Sequence, residues 1–144
     1  YDVIEGDTPE SLAHKLYGDA SRHWIILLMN NIIDRYHDWP MAGNQFLEYI
    51  NDKYQNDDGT SNVDGVHHYE LAQSSGDTKT KIEVYADSAL YVGDTDFYAT
   101  ATTITNMEYE EAEQDRKRKI LLLDTSYVNQ FETEFTNLMR ESLI

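Results

Sequence analysis

The run Trp24-Ile25-Ile26-Leu27-Leu28-Met29 constrains this chain more than any other stretch of it. Asp19 or Ser21 can cap a helix through "RHWIILLMNN", and the apolar side chains of that helix point in every direction. A helix that is apolar all round does not lie on a surface. It has to be enclosed, by its own module on one side and by the rest of the chain or another protein on the other. Nor can the run cross a bilayer, which takes about 20 apolar residues. The fold must therefore offer two apolar surfaces to one short helix.

The preceding residues supply the first surface. Tyr1 and Val3 fall on one face of a short strand and Asp2 on the other. Thr8 stands where a helix N-cap belongs, with Pro9 at the first helical position. Leu12, Ala13, Leu16 and Tyr17 then form a stripe, and Gly18 offers the left-handed residue that ends the helix. Trp24 is expected to be largely buried in this knob, against Leu12, Leu16 or Tyr1.

Further along, Phe46, Leu47, Ile50 and Tyr54 recur at helical spacing, which predicts a third helix over about 44–54. "QNDDGTSNVDG" reads as a polar linker. A calcium loop begun at Thr60 would place Asn62, Asp64 and Gly65 correctly, but it puts Leu71 where a bidentate Glu is required. A solvated loop is the reading that remains. Strands over 66–71 and 79–85, joined by a Ser-Gly turn, predict a hairpin. His67 and His68 are adjacent on the first strand, so they should point to opposite faces and be unable to share a metal. His14, His23 and His37 lack ligand spacing, and neither a metal nor a cofactor is expected.

Asn106 suits the cap of a helix with Glu108, Glu110, Glu111, Glu113 and Asp115 ahead of Arg116, Lys117, Arg118 and Lys119. That order complements the helix dipole, so the basic run reads as a helix terminus. Ile120–Leu123 predicts a short buried strand, and Thr125 or Ser126 starts a last helix. Tyr127, Val128, Phe131, Phe135, Leu138 and Met139 lie along one stripe of that helix, which wants a groove to lie in. Charge narrows the partners. Eleven Lys and Arg against 27 Asp and Glu give a net charge of -16, which repels phosphate backbones and anionic lipid. No nucleic-acid or membrane partner is expected on that ground. The sequence holds no G-x-S-x-G, P-loop or H-E-x-x-H pattern, so no enzyme is expected.

The pattern Y-x-V-x-x-G-D-T, a short helix, then W-x-x-L-x-x-x-N, carried by Tyr1, Val3, Gly6, Asp7, Thr8, Trp24, Leu27 and Asn31, resembles the LysM module. That is a small βααβ fold best known for binding N-acetylglucosamine polymers. The resemblance implies a candidate glycan groove at Gly6, Asp7, Thr8 and Asn31, and peptidoglycan or chitin binding as an alternative function.

A second resemblance covers most of the chain. The segments "GDTPESLAHKLYGDASRHWIILLMNN", "DWP", "VHHYE" and "TITNMEYEEAEQDRKRKILLLDTSYVNQFETEF" occur in the same order in the LysM-containing baseplate wedge proteins of T-even-type contractile-tailed bacteriophages. It implies a structural protein of the virion tail baseplate, assembled in the host cytoplasm. Its partners would be other baseplate wedge and hub proteins, and it would join neighbouring wedges around the six-fold hub. A small-molecule ligand is not expected. Because the chain begins with Tyr1 and the family carries a segment ahead of the LysM-like part, a preceding segment is also expected.

The fold expected is α+β. A LysM-like strand and helical hairpin with an appended helix would occupy 1–55, a linker 56–65, and a β-hairpin arm with C-terminal helices 66–144. The candidate protein interface is Ile26, Met29, Tyr127, Phe131, Phe135 and Leu138.

Overall fold

The structure, a computed structural model, describes residues 1–72 and 81–143. It is α+β, with an antiparallel sheet and helices in two compact units. One unit comprises Tyr1–Ala42 with Asp115–Ile144, and the other Gly43–Gln114. This grouping cuts across the chain-order division into 1–55, 56–65 and 66–144.

In the discontinuous unit, helix α1 (Pro9–Tyr17) starts and stops as its sequence dictates. The Thr8 hydroxyl accepts the Ser11 amide at 3.1 Å, and the Ser11 hydroxyl accepts the Thr8 amide at 2.8 Å. This reciprocal cap satisfies two amides that the helix itself cannot. Gly18, at φ 72°, ends it. A 3-10 turn at Ala20–Arg22, capped by Asp19, leads into α2 (His23–Met29). The chain later returns to pair with its own beginning. Asp2 bridges antiparallel to Lys119, the Val3 amide donates to the Arg118 carbonyl at 2.8 Å, and the Ile120 amide donates to the Tyr1 carbonyl at 3.0 Å. The order in space is thus extended segment, two helices, extended segment, with the closing segment supplied from beyond residue 114.

Asn30, at the end of α2, extends that closure. Its side chain donates to the Leu121 carbonyl and accepts the Leu121 amide, both at 2.8 Å, imitating a neighbouring strand. The Tyr17 hydroxyl donates to the Leu123 carbonyl at 2.9 Å. Of the expected buried strand Ile120–Leu123, only Ile120 is buried. Leu121 is 69% exposed, because its backbone is held by the Asn30 side chain while its own side chain points outward. A 3-10 turn at Thr125–Tyr127, capped by Asp124, begins the last helix, Val128–Ser142.

The core here is Val3, Leu12, Ala13, Tyr17, Ile25, Ile26, Trp39, Ile120 and Val128. The helix that had to be enclosed therefore finds part of its second surface within this chain, in Ile120 and Val128. The buried indole is Trp39 rather than Trp24. Trp39 is 6% exposed and donates to the Asp7 carbonyl at 2.9 Å, whereas Trp24 is half-buried and meets rings of the last helix at a tilt.

In the other unit, α3 (Gly43–Lys53) lies where helical spacing placed it. The segment read as a linker is a hydrogen-bonded loop. Gln55 bridges to Ser61, Gly59 takes φ 83° at the turn, and the Asn62 amide donates to the Tyr54 carbonyl at 2.8 Å. Strands β1 (Val66–Ala72) and β2 (Lys81–Tyr85) pair antiparallel, with Glu70 opposite Glu83. The expected Ser-Gly turn between them lies outside the described residues. After α4 (Thr95–Thr100), β3 (Thr102–Thr105) pairs with the far edge of β1, giving the order β2-β1-β3. Helix α5 (Asn106–Arg118) follows, and the boundary between the units falls within its sequence. The last helix, Val128–Ser142, is accordingly α6.

Phe97 of α4 is buried, as is Val84 of β2, and Tyr98 meets Tyr69 edge-on at 5.0 Å. Alternate β1 residues Tyr69 and Leu71 belong to that face of the sheet, and His68 and Glu70 to the other. On α5, Glu110 is not part of the exposed acidic run that its sequence suggests. It is 3% exposed and accepts from Lys53 Nζ at 2.6 Å and from the Tyr54 hydroxyl at 2.7 Å. A buried carboxylate persists only when paired in this way. Burial alone would lower the Lys53 pKa, but the bond to Glu110 outweighs it and raises the value well above the ordinary one.

Candidate protein interface

The stripe on α6 is built from its first turn outward. Asp124 fixes the entry: its carboxylate accepts the Ser126 amide at 2.9 Å and the Ser126 hydroxyl at 2.7 Å, and these bonds lower its pKa. Val128 is then fully enclosed in the core and Phe131 packs against it. Phe131 and Phe135 each meet Trp24, with ring centroids 5.9 and 4.8 Å apart, so an aromatic trio joins α2 to α6. Arg22 adds a polar clamp from the same side, bonding Asn129 at 3.0 Å and Glu132 at 3.1 Å.

Beyond Phe135 the stripe continues without cover from this unit. Leu138 is 63% exposed, Met139 50% and Leu143 84%. Half of one amphipathic helix is thus core, and half is an apolar surface facing water.

Of the expected interface residues, Phe131 and Phe135 are half-buried in the trio, and Leu138 is exposed farther out. Tyr127 is exposed at the start of the helix. Met29 packs against the core. Ile26 is fully enclosed among this chain's own residues, so it presents no surface to a partner; the face of α2 that it occupies is closed by the returning chain. The exposed residue of the apolar run is Leu28 instead. Ile33 and Tyr36 are also strongly exposed, in a loop with no periodicity to mark them as a protein interface.

The expected glycan groove is otherwise engaged. The Asp7 carboxylate accepts the Tyr1 hydroxyl at 2.9 Å and the Ile4 amide at 3.2 Å, while its carbonyl holds the Trp39 indole. The Thr8 hydroxyl is committed to the helix cap, and Gly6 supplies the turn at φ 89°. Asn31, at φ 53°, lines a cavity of about 250 Å³ with Asp38, Arg116, Lys117 and Lys119, a set that includes none of the other three. Arg35, bound to Glu10 at 2.6 Å, helps to pin the segment that carries Trp39 over the Gly6–Pro9 turn.

Among the described residues no helix is long and apolar enough to cross a membrane. A helix that is half core and half bare apolar surface has the character of a protein–protein contact element. The family model for base plate wedge protein 53 matches residues 1–138. The baseplate wedge protein gp53 of Enterobacteria phage T4 is 26% identical over 158 residues, an alignment covering 99% of this chain and 74% of that relative. The chain belongs to the base plate wedge protein 53 family and is a structural component of the phage tail baseplate.

Proposed function

We propose that this protein joins neighbouring wedge subunits around a six-fold hub, and that the outer part of α6 is one of its docking surfaces. The observation that carries this reading is the continuous apolar stripe from Phe135 through Leu138 and Met139 to Leu143, anchored at one end and bare at the other. Anchoring matters energetically. A helix already held by Val128 and Phe131 loses little conformational freedom on binding, so more of its buried area appears as affinity. The order of extended segment, two helices and extended segment supports a LysM-like knob as the base that holds this helix. In this setting the knob serves as a scaffold, because Trp39 covers the turn where a sugar would sit.

The test is incorporation. Leu138→Asp with Met139→Asp should leave the isolated chain folded, since both residues are exposed, yet block its entry into baseplates. Phe131→Ser with Phe135→Ser should block entry as well, but with a loss of stability. Asp7→Ala and Asn31→Ala should spare incorporation apart from any folding defect, and chitin or peptidoglycan oligomers should give no saturable binding. Normal incorporation of the double variant Leu138→Asp, Met139→Asp, confirmed by mass spectrometry of purified baseplates, would remove α6 as the docking surface.

A further inference from the structure

The sheet of the Gly43–Gln114 unit carries a cluster of potential metal ligands that is separate in sequence from the α6 stripe. His68, Glu70 and Glu83 lie on one face: His68 and Glu70 two apart on β1, and Glu83 directly across from Glu70 on β2. One ligand atom from each lies within 4.8 Å of the others. His68 is 4% exposed, so its ring is fixed in place, whereas Glu83 is exposed and able to rotate. The expectation that adjacent histidines diverge fails here for a local reason. Val66 pairs with Thr105 and His68 with Ile104, so His67 is an extra residue, a bulge that lets both rings lie together. Their Nδ1 atoms are 2.8 Å apart, and the His67 ring stacks on Tyr109 of α5 at 3.8 Å.

We propose that His68, Glu70 and Glu83 form a binding site for a divalent first-row transition metal ion of the zinc type, with His67 as the positioning residue behind His68. The donor set is one imidazole and two carboxylates, which suits such an ion and leaves a position for water. Bonds of about 2.0–2.1 Å to a tetrahedral ion bring ligand atoms to about 3.3 Å from one another. His68 Nε2 and Glu70 Oε1 already stand 2.9 Å apart, so the adjustment falls mainly on the exposed Glu83.

Charge favours the same occupant. Two carboxylates match a divalent cation, and Lys81, which bonds the second oxygen of Glu70 at 3.1 Å, is 62% exposed and can withdraw into solvent. The net charge of -16 draws cations to the molecule generally, but only a buried imidazole discriminates in favour of zinc over magnesium or calcium. The tautomers are consistent. With the metal on Nε2, His68 carries its proton on Nδ1 and donates it to His67 Nδ1, the outer-shell bond that orients a metal-bound imidazole.

The experiment uses the full chain, stripped with a chelator and titrated with Zn²⁺ by calorimetry and with Co²⁺ by visible absorption. Expected are one equivalent bound, d–d bands of a four- or five-coordinate ion, and a rise in melting temperature with Zn²⁺. Glu83→Gln, at an exposed position, should keep the fold and weaken binding at least about tenfold, as should His67→Phe through loss of the outer-shell bond. His68→Gln should abolish the bands. Binding that is absent, that is unchanged in Glu83→Gln and His67→Phe, or that is equalled by Mg²⁺ and Ca²⁺ at the same concentrations overturns the proposal.

Discussion

Replacing Trp39 with alanine tests the assignment of the core most directly. The indole is 6% exposed and packs with Val3, Leu12, Ala13 and the α2 isoleucines, so its removal opens a cavity near the centre of the discontinuous unit. Truncating a buried Trp costs about 3–5 kcal/mol. The lost bond to the Asp7 carbonyl adds little, since that carbonyl lies in a turn that water can reach. At about 4 °C per kcal/mol for a chain of this length, the melting temperature should fall by about 12–20 °C. Trp39→Phe keeps most of the volume and should cost about 1–2 kcal/mol. Trp24→Ala, at a half-buried position shared with Phe131 and Phe135, should cost about 1–2.5 kcal/mol. The chain has two tryptophans, so each variant retains the other as its fluorescent reporter, and urea unfolding followed by emission and far-ultraviolet dichroism gives all three values. If Trp39→Ala unfolds at the parent's midpoint, or if Trp24→Ala is the more damaging change, the core is organised around the wrong indole.

The Lys53–Glu110 pair should respond asymmetrically. Lys53→Met takes the lysine cation from a buried carboxylate that keeps its bond from the Tyr54 hydroxyl, and should cost about 2–4 kcal/mol, whereas Glu110→Gln leaves a lysine that is 43% exposed and can rehydrate, at about 0.5–1.5 kcal/mol. The folded-state pKa of Lys53 is raised, so its contribution is complete below the unfolded value of about 10.4 and is lost as pH rises beyond it. Tyr54, raised to about 12 by burial and the bond to Glu110, acts in the same direction. The stability difference between parent and Glu110→Gln should therefore be flat from about pH 7 to 9 and shrink above about pH 10.4; a difference that grows there contradicts the pairing. Thr8→Ala should cost about 1 kcal/mol in urea unfolding through loss of the cap. Asn30→Ala should cost about 1–3 kcal/mol and speed amide exchange at Leu121, since one side chain serves both backbone groups of that residue.

Local chemistry was the legible part of this fold. Thr8, Pro9 and Gly18 bound α1 in the sequence as they do in the structure, and the apolar positions of α3 and α6 and the charge order of α5 placed those helices. Pairings across long separations were not legible. Nothing local in Asp2 or Lys119 marks them as neighbours, so the sequence does not reveal the returning chain that encloses Ile26, and Ile26 reads as available to a partner. Trp24 and Trp39 could not be ranked by pattern, because Trp39 sits in an irregular loop whose burial depends on the Gly6–Pro9 turn beneath it. The His67 bulge was equally invisible: strict alternation separates adjacent side chains, and only the mismatch with β3 brings them together. At the interface, helical periodicity found the α6 stripe but not where its own core stops covering it.

Closing the first unit through its two ends also sets a timetable. The Ile120 amide donates to the Tyr1 carbonyl across 119 positions of sequence, so the segment around Tyr1 cannot dock until Ile120 has been synthesised. At about 5–20 residues per second, ribosomal synthesis leaves that segment waiting roughly 6–24 s. Joining ends so far apart also carries a loop-closure entropy of about 4 kcal/mol. Throughout that interval Ile25 and Ile26 lack Ile120 and Val128, and the nascent chain displays the most adhesive stretch it has. The surplus acidity of the molecule is well suited to that exposure, since like-charged nascent chains repel one another while the sticky helix waits for its cover.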